Sequence, residues 1–193
     1  MSVTVHPTEI EQVQLIVPTV HGDARGYLFE SWHADRYAAI GLPSRFVQDN
    51  VSRSARGVLR GLHVQCPFPQ GKLVQVLDGE VFDVAVDVRV GSPTFGRWSG
   101  HHLSADNHRQ LYIPAGVAHG FCVLSASALL SYKCTEFYHP SSEITIAWDD
   151  PEIGIEWPVS APLLSKKDTG ASRLSALKER LPRWPVTSPE AAR

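Results

Sequence analysis

Apolar and polar residues alternate along most of the first 150 positions of the chain. Between residues 81 and 90 every even position is apolar, whereas the odd positions include Asp83, Asp87 and Arg89. Successive side chains of a β-strand point to opposite faces, so a period of two is typical of a strand with one buried face. The pattern therefore predicts a half-buried strand over residues 81–90.

Shorter apolar runs predict further strands. One covers residues 57–65 and carries His63, and it is followed by a turn that contains Lys72. Others span residues 13–17, 72–77, 110–113, 120–124, 128–135 and 144–148. Turn-forming segments rich in Gly, Pro and Asp separate these runs. Many short strands with no helices between them favour a mainly β fold, an antiparallel sandwich or jelly-roll barrel.

Two helices are predicted beside the strands. A short one spans residues 33–40, and an amphipathic one spans about 171–181, where leucines recur at helical spacing at positions 174, 177 and 181. Residues 187–193 are expected to form a flexible tail. A length of 193 residues suits one domain, so residues 1–193 are interpreted as a single jelly-roll domain.

Composition narrows the function classes. The formal net charge of −2 gives no overall attraction to nucleic acid or to an anionic membrane. No apolar run is long enough to span a membrane, and the first residues lack the basic and apolar regions of a signal peptide. The three cysteines lack metal or redox spacing, so reduced thiols and a cytoplasmic location are expected.

Nine histidines raise the question of a metal site. A jelly-roll metal site needs three or four inward ligands, but the residue two positions after His63 is Gln65 rather than a second histidine. Lys72 nearby would oppose a divalent cation. His119 offers one more ligand, and the adjacent histidines 101–102 would point to opposite faces of a strand. We therefore expect no catalytic metal.

Without a metal, His63 is a candidate general base because the imidazole pKa lies near neutrality. The alternative is a core histidine bonded to a backbone carbonyl. Lys72 would stabilise a developing oxyanion, and Tyr132 would deliver a proton or simply pack in the core. Asp168 would orient His63 as in a catalytic triad, or it would cap a helix.

A series of motifs resembles the dTDP-4-dehydrorhamnose 3,5-epimerase family. These motifs follow one another in the family's order over roughly residues 10–170, so they are more specific than any single one. They occupy residues 23–30, 46–50, 57–63, 70–74, 83–87, 92–96, 113–121, 132–135, 150–151 and 165–168. The resemblance implies a cupin-type jelly-roll without metal or other cofactor, usually a homodimer that exchanges N-terminal strands.

The resemblance also implies a substrate, a dTDP-4-keto-6-deoxyhexose, and a role for each matching residue. The C4 ketone acidifies the protons on C3 and C5, so that a base forms an enolate. His63 would be the base and Asp168 its partner. Lys72 would stabilise the enolate, and Tyr132 would return a proton from the opposite face, which inverts the carbon.

The substrate-binding residues implied in the same way fall into basic, polar and aromatic groups. Arg25, Arg60 and Lys167 suit a diphosphate, whereas Gln48 and Asn50 suit a thymine edge or a sugar hydroxyl. The full expected set is Arg25, Phe29, Glu30, Gln48, Asp49, Asn50, Arg60, His119, Tyr138, Glu143 and Lys167. Simple alternation places Arg60 on the face opposite His63, so either Gly61 interrupts the strand as a bulge or Arg60 reaches the site in another way.

Three other hypotheses remain open from the sequence. A monofunctional epimerase of an unusual deoxysugar pathway, which inverts only C3 or only C5, would use the same residue types. A binding module for a nucleotide sugar would lack an acid or a base, but His63, Lys72, Tyr132 and Asp168 are all present. A metal-dependent cupin oxygenase would require a stoichiometric metal.

Overall fold

The computed structural model describes residues 2–186, which form a β-rich barrel with little helix. The strands are β1 Val3–Pro7, β2 Gln14–Pro18, β3 His21–Asp23, β4 Gly26–Leu28, β5 Gln48–Ala55, β6 Leu59–Gln65, β7 Lys72–Asp78, β8 Glu80–Asp87, β9 Trp98–Ser104, β10 Gln110–Ile113, β11 Val117–Val123, β12 Ser127–Cys134 and β13 Glu143–Thr145. The α-helices are α1 Ala34–Ala38 and α2 Lys166–Thr169, and 3₁₀ turns occur at Pro140–Ser142 and Leu174–Leu177.

The strands form two antiparallel sheets and a separate hairpin. The larger sheet has the order β1-β2-β10-β7-β12-β5, the smaller one has the order β13-β6-β11-β8-β9, and β3 pairs with β4 alone. Apolar side chains of both sheets pack in one core that includes Val74, Leu111, Leu130, Val81 and Val123. The arrangement confirms the predicted antiparallel jelly-roll.

Strand β8 is buried on both faces, so the prediction of a half-buried strand is wrong. Val81 and Ala85 pack in the core between the sheets, whereas Val84 and Val86 pack in a second apolar cluster on the other face. That second cluster includes leucines from the C-terminal segment, which cover the outer face of the smaller sheet. Asp83 shares the inner face of β8 with Val81 and Ala85 and is 0% exposed, so this polar position of the alternating pattern faces the interior between the sheets rather than solvent.

The helix predicted over 171–181 is absent from the described residues, and a 3₁₀ turn at Leu174–Leu177 takes its place. Leu174, Leu177 and Leu181 are nevertheless buried, so the spacing identified the right apolar positions. The backbone is held by other partners, because Leu174 N donates to Asp150 Oδ2 at 2.6 Å. Helix α1 confirms the short helix expected within residues 33–40, and the tail predicted over 187–193 lies outside the described residues.

Within residues 2–186, the helices are all too short or too polar to cross a membrane.

Candidate active site

A cavity of about 310 Å³ opens between the two sheets. Strands β5, β7 and β12 form one wall, and β6, β11 and β13 form the other. Polar and charged side chains dominate its lining, and polar groups that converge on one cavity indicate a binding site. The lining residues are Gln48, Asn50, Ser52, Arg60, His63, Val64, Gln65, Gln70, Lys72, His119, Phe121, Tyr132, Tyr138, Glu143 and Lys167.

His63 and Asp168 form a hydrogen-bonded dyad although 105 positions separate them in the chain. His63 Nε2 lies 2.6 Å from Asp168 Oδ1, and the Asp168 side chain is almost fully buried. Ser165 caps helix α2 by accepting a bond from Asp168 N and donates its hydroxyl to Asp168 Oδ2 at 2.7 Å. The residue that caps helix α2, Ser165, therefore also holds the Asp168 carboxylate in place for the dyad. Because Nε2 faces the carboxylate, Nδ1 is the ring nitrogen left for a ligand.

The dyad keeps a neutral imidazole beside an ionised carboxylate. Burial lowers the pKa of His63 most strongly, the hydrogen bond to Asp168 opposes that shift, and the charge of Lys167 lowers the pKa further. Burial raises the pKa of the Asp168 carboxyl, but hydrogen bonds from His63 and Ser165 outweigh it and leave that pKa below its usual range. A neutral imidazole beside a carboxylate is the resting state that a general base requires.

Lys72 and Tyr132 lie on the wall opposite His63. They belong to neighbouring strands, because Lys72 on β7 is the register partner of Cys134 on β12, two residues after Tyr132. Burial lowers the pKa of Lys72, and nearby acidic groups oppose that shift. Burial raises the pKa of the Tyr132 phenol. The cavity therefore has a base on one wall, and a lysine amine and a protonated phenol on the other.

Arg60 and His63 both line the cavity because strand β6 is irregular at Gly61. The β6–β11 register shifts between His119 and Phe121, and Gly61 has a φ of 131°. A Cβ on Gly61 would lie 2.5 Å from Gly120 Cα, so no larger residue fits. Simple alternation thus fails for Arg60, and of the two explanations left open by the sequence the structure shows the bulge at Gly61. It turns Arg60 inward, where its Nε donates to Ser54 Oγ at 3.1 Å.

The mouth of the cavity carries a small ionic network. Lys167 Nζ donates to Glu143 Oε1 at 2.8 Å, and the Tyr138 hydroxyl donates to Glu143 Oε2 at 3.0 Å. Gln48 Nε2 donates to Asn50 Oδ1 at 3.0 Å on the adjoining strand β5. Tyr138 is 48% exposed, so one face of its ring is available for stacking.

Residues 2–186 contain no cluster of three or more His, Cys, Asp or Glu side chains with the geometry of a metal site. His63 and His119 lie opposite each other in register on β6 and β11, but each bonds its own aspartate. Lys72 and Lys167 both line the cavity, and their positive charges would oppose a bound divalent cation.

The sequence model of the dTDP-4-dehydrorhamnose 3,5-epimerase family matches residues 7–176. The chain belongs to this family. A dTDP-4-dehydrorhamnose 3,5-epimerase of Pseudomonas aeruginosa is 59% identical over 161 residues, which cover 82% of this chain and 89% of that protein. A dTDP-4-dehydrorhamnose 3-epimerase of Streptomyces niveus is 44% identical over 175 residues, which cover 90% of this chain and 84% of that protein.

A crystal structure gives the same result for the fold. The dTDP-6-deoxy-D-glucose-3,5-epimerase of Legionella pneumophila, crystallised with dTDP-4-keto-L-rhamnose, is 52% identical to this chain. It superposes with a TM-score of 0.92 over 95% of this chain and 100% of that one. These similarities confirm the predicted family and the interpretation of the chain as an isomerase of nucleotide sugars.

Most of the residues expected from the epimerase family meet at the cavity, but four do not in this single chain. Arg25 is highly exposed on the β3–β4 hairpin and pairs with Asp23. Phe29 follows that hairpin and contacts His108, and Glu30 pairs with Arg36. The fourth, Asp49, alternates with its two neighbours on β5 and so faces away from the cavity, where Lys133 binds it.

Four polar or aromatic lining residues were not expected from the sequence. Ser52 follows Asn50 by two positions on β5, so alternation was a usable signal for it. Gln65 stands where a metal-binding cupin would have a second histidine. Its side chain hydrogen-bonds two loops instead: Nε2 donates to Phe68 O and Phe137 O, and Oε1 accepts from His139 N. The other two are Gln70 and Phe121. No pattern in the sequence distinguishes them from core residues.

Proposed function

We propose that this chain is a cytoplasmic, cofactor-independent epimerase that inverts C3 and C5 of dTDP-4-keto-6-deoxyglucose in deoxysugar biosynthesis. One observation carries the proposal. The His63–Asp168 dyad lies on one wall of the cavity, and Tyr132 with Lys72 lies on the other. A sugar ring held between the walls has a base at one face and an acid at the other, which is what inversion of a carbon requires.

The first step is removal of a proton next to the C4 ketone. His63 Nδ1 takes the proton, and the electron pair of the broken C–H bond forms the enolate C=C bond while the carbonyl oxygen gains negative charge. Lys72 offsets that charge from the opposite wall, as a preorganised cation. Asp168 stabilises the imidazolium that forms, because its carboxylate already bonds Nε2.

The second step returns a proton to the other face of the same carbon. The Tyr132 hydroxyl donates it, and the enolate electron pair forms the new C–H bond. The raised pKa of Tyr132 keeps the phenol protonated until the enolate is present. If His63 returned the proton, the substrate would be restored, so inversion requires the second wall.

The nucleotide lies toward the mouth in this proposal. Arg60 and Lys167 bind the diphosphate, Arg60 through its planar guanidinium and Lys167 as a point charge. Gln48 and Asn50 hydrogen-bond the thymine or a sugar hydroxyl, and Tyr138 stacks on the base. The support is that all five side chains line one continuous cavity.

A second candidate is inversion of C3 alone, which the 44% identity to the 3-epimerase of Streptomyces niveus favours. Incubation of the enzyme with the 4-keto-6-deoxy sugar nucleotide in deuterated water separates the two. Deuterium at both C3 and C5 supports the proposed function. Deuterium at C3 alone supports the second candidate, and deuterium at neither carbon contradicts both.

We further propose that the enzyme is a homodimer with exchanged N-terminal strands. Two observations support it: the family residues Arg25, Phe29 and Glu30 lie away from the cavity of their own chain, and the hairpin exposes Tyr27 and Leu28 by 60% and 63%. An exposed apolar hairpin is typical of an interface. Each hairpin would then deliver Arg25 to the partner's cavity.

Mixed dimers test this arrangement. Arg25→Ala and His63→Ala chains are each expected to be inactive. When they are co-expressed, random pairing leaves one intact site in half of the dimers, so about a quarter of the wild-type activity returns. No recovery would show that Arg25 acts within its own chain, an active Arg25→Ala variant would show that Arg25 is not needed, and a monomer in sedimentation would also contradict the exchange.

A further inference from the structure

A second histidine–aspartate pair lies beneath the cavity floor. Asp83 on β8 is 0% exposed, and its two carboxylate oxygens lie 3.1 and 3.0 Å from His119 Nε2. His119 belongs to the neighbouring strand β11. It lines the same wall of the cavity as His63, which is its register partner on β6. Asp83 itself is not part of the lining, so it would contact the ligand only through His119.

Such a carboxylate has to be explained, because an isolated buried charge costs several kcal/mol. Because His119 Nε2 contacts both oxygens of the Asp83 carboxylate, Nε2 is the ring nitrogen that carries the proton. His119 Nδ1 is then the nitrogen that remains for the cavity. This is the same arrangement that Asp168 imposes on His63. The two histidines therefore present the same ring nitrogen from adjacent strands, and each has an aspartate behind it.

Asp83 also acts on Lys72. Burial lowers the pKa of Lys72, whereas electrostatic interactions with Cys134, Glu143 and Asp83 raise it. These groups come from β12, β13 and β8, and the charge of Lys167 on α2 acts in the opposite direction. Lys72 in turn lowers the pKa of His63 on β6. Among the carboxylates that raise the pKa, Glu143 is already bound to Lys167.

We infer that Asp83 is a positioning residue of this enzyme, which fixes His119 with Nδ1 toward the ligand and supplies the buried negative charge that balances Lys72. The inference rests on the proposed function, in which Lys72 has to be cationic when the enolate forms. Asp83 makes that possible without placing a carboxylate next to the enolate, because His119 separates it from the cavity.

The test is Asp83→Asn, which keeps the shape and the hydrogen-bond acceptor but removes the charge. We expect kcat for epimerisation to fall about 10²-fold, as for loss of one oxyanion partner, with KM changed by less than about threefold. The alkaline limb of the kcat–pH profile should move to lower pH, because Lys72 loses a neighbouring anion and releases its proton more easily. Asp78→Asn is the matched control, since this aspartate lies exposed at the other end of β7 and pairs with Arg53.

A purely structural role would lower the thermal stability and leave the alkaline limb in place, which would overturn the inference. A wild-type kcat in Asp83→Asn would do so as well. His119→Gln gives a second measure, because the alkaline limb should stay near its wild-type position while Asp83 remains. Failure of the proposed function is distinguishable, since wild-type enzyme would then incorporate no deuterium at C3 or C5.

If Asp83→Asn does not fold, the wild-type protein still decides the question. Long-range ¹H–¹⁵N NMR of His119 reports which ring nitrogen carries a proton. A proton on Nε2 supports the inference. A neutral ring protonated only on Nδ1 would overturn it.

Discussion

Replacing Asp168 with Asn tests the dyad while changing only one atom. The carboxylate lies 2.6 Å from His63 Nε2 and is almost fully buried, so solvent screens the pair little. Asn keeps the volume and an oxygen for the bond. What it removes is the negative charge that opposes the imidazolium formed when His63 takes the substrate proton.

The geometry gives the magnitude. With the charge centres about 4 Å apart and an effective dielectric of about 20, the imidazolium–carboxylate attraction is about 4 kcal/mol. Each 1.4 kcal/mol corresponds to about a tenfold change in rate, so kcat should fall about 10³-fold if the proton is largely transferred in the transition state. KM should change little, because Asp168 lies behind His63.

The assay is steady-state epimerisation over a range of pH. Asp168 raises the pKa of His63, so its loss lowers that pKa and the acid limb of the kcat–pH profile moves to lower pH. Ser165→Ala, which removes one bond to the same carboxylate but no charge, is the control and should cost much less. A kcat within threefold of wild type in Asp168→Asn would refute the assignment of the dyad.

Three further predictions concern other parts of the site. Tyr132→Phe should lose epimerisation but retain deuterium exchange, because His63 still removes and returns a proton at one face; NMR of the recovered substrate checks this, and loss of both would contradict opposed walls. Lys167→Gln should move the acid limb to higher pH, because the charge of Lys167 lowers the pKa of His63, and an unmoved limb would count against that coupling. Gly61→Ala should destabilise the fold by about 3 kcal/mol in urea unfolding, since the new Cβ meets backbone at 2.5 Å. The control Gly154→Ala, with nothing closer than 3.9 Å and a φ of +67°, should cost only about 1–2 kcal/mol, and equal losses would contradict the packing argument.

The apolar runs predicted eight of the thirteen strands within residues 2–186, because apolar alternation is a direct consequence of strand geometry, and they did not indicate β1, β3, β4, β5 or β9. The sequence failed where tertiary contacts decide the outcome. Asp83 looked like part of a solvated face, but it shares its side of β8 with Val81 and Ala85, which pack in the core between the two sheets, while the segment that carries Leu174 covers the other side. That segment was expected to be helical, and a bond from its backbone to Asp150 holds it in a different form. Neither contact leaves a periodic signal.

The same contrast between local pattern and tertiary contact holds for the candidate active site. The types of chemistry at His63, Lys72 and Tyr132 were readable from the residues, whereas the meeting of His63 with Asp168 depends on chain topology across 105 positions. The resemblance to the family supplied that pairing. It also supplied Arg25, which a single chain does not bring to the cavity. In the proposed dimer Arg25 would come from the second chain, and such a contribution leaves no trace in the hydrophobic pattern of one chain.

The most direct test of the account is deuterium incorporation by His63→Ala beside wild type. The central claim is that His63 removes the proton and that the other wall returns one. Wild-type enzyme in deuterated water should label the carbons that it inverts. His63→Ala should bind dTDP nearly as well as wild type and incorporate no deuterium at C3 or C5. Incorporation by the variant at the wild-type rate would contradict the claim.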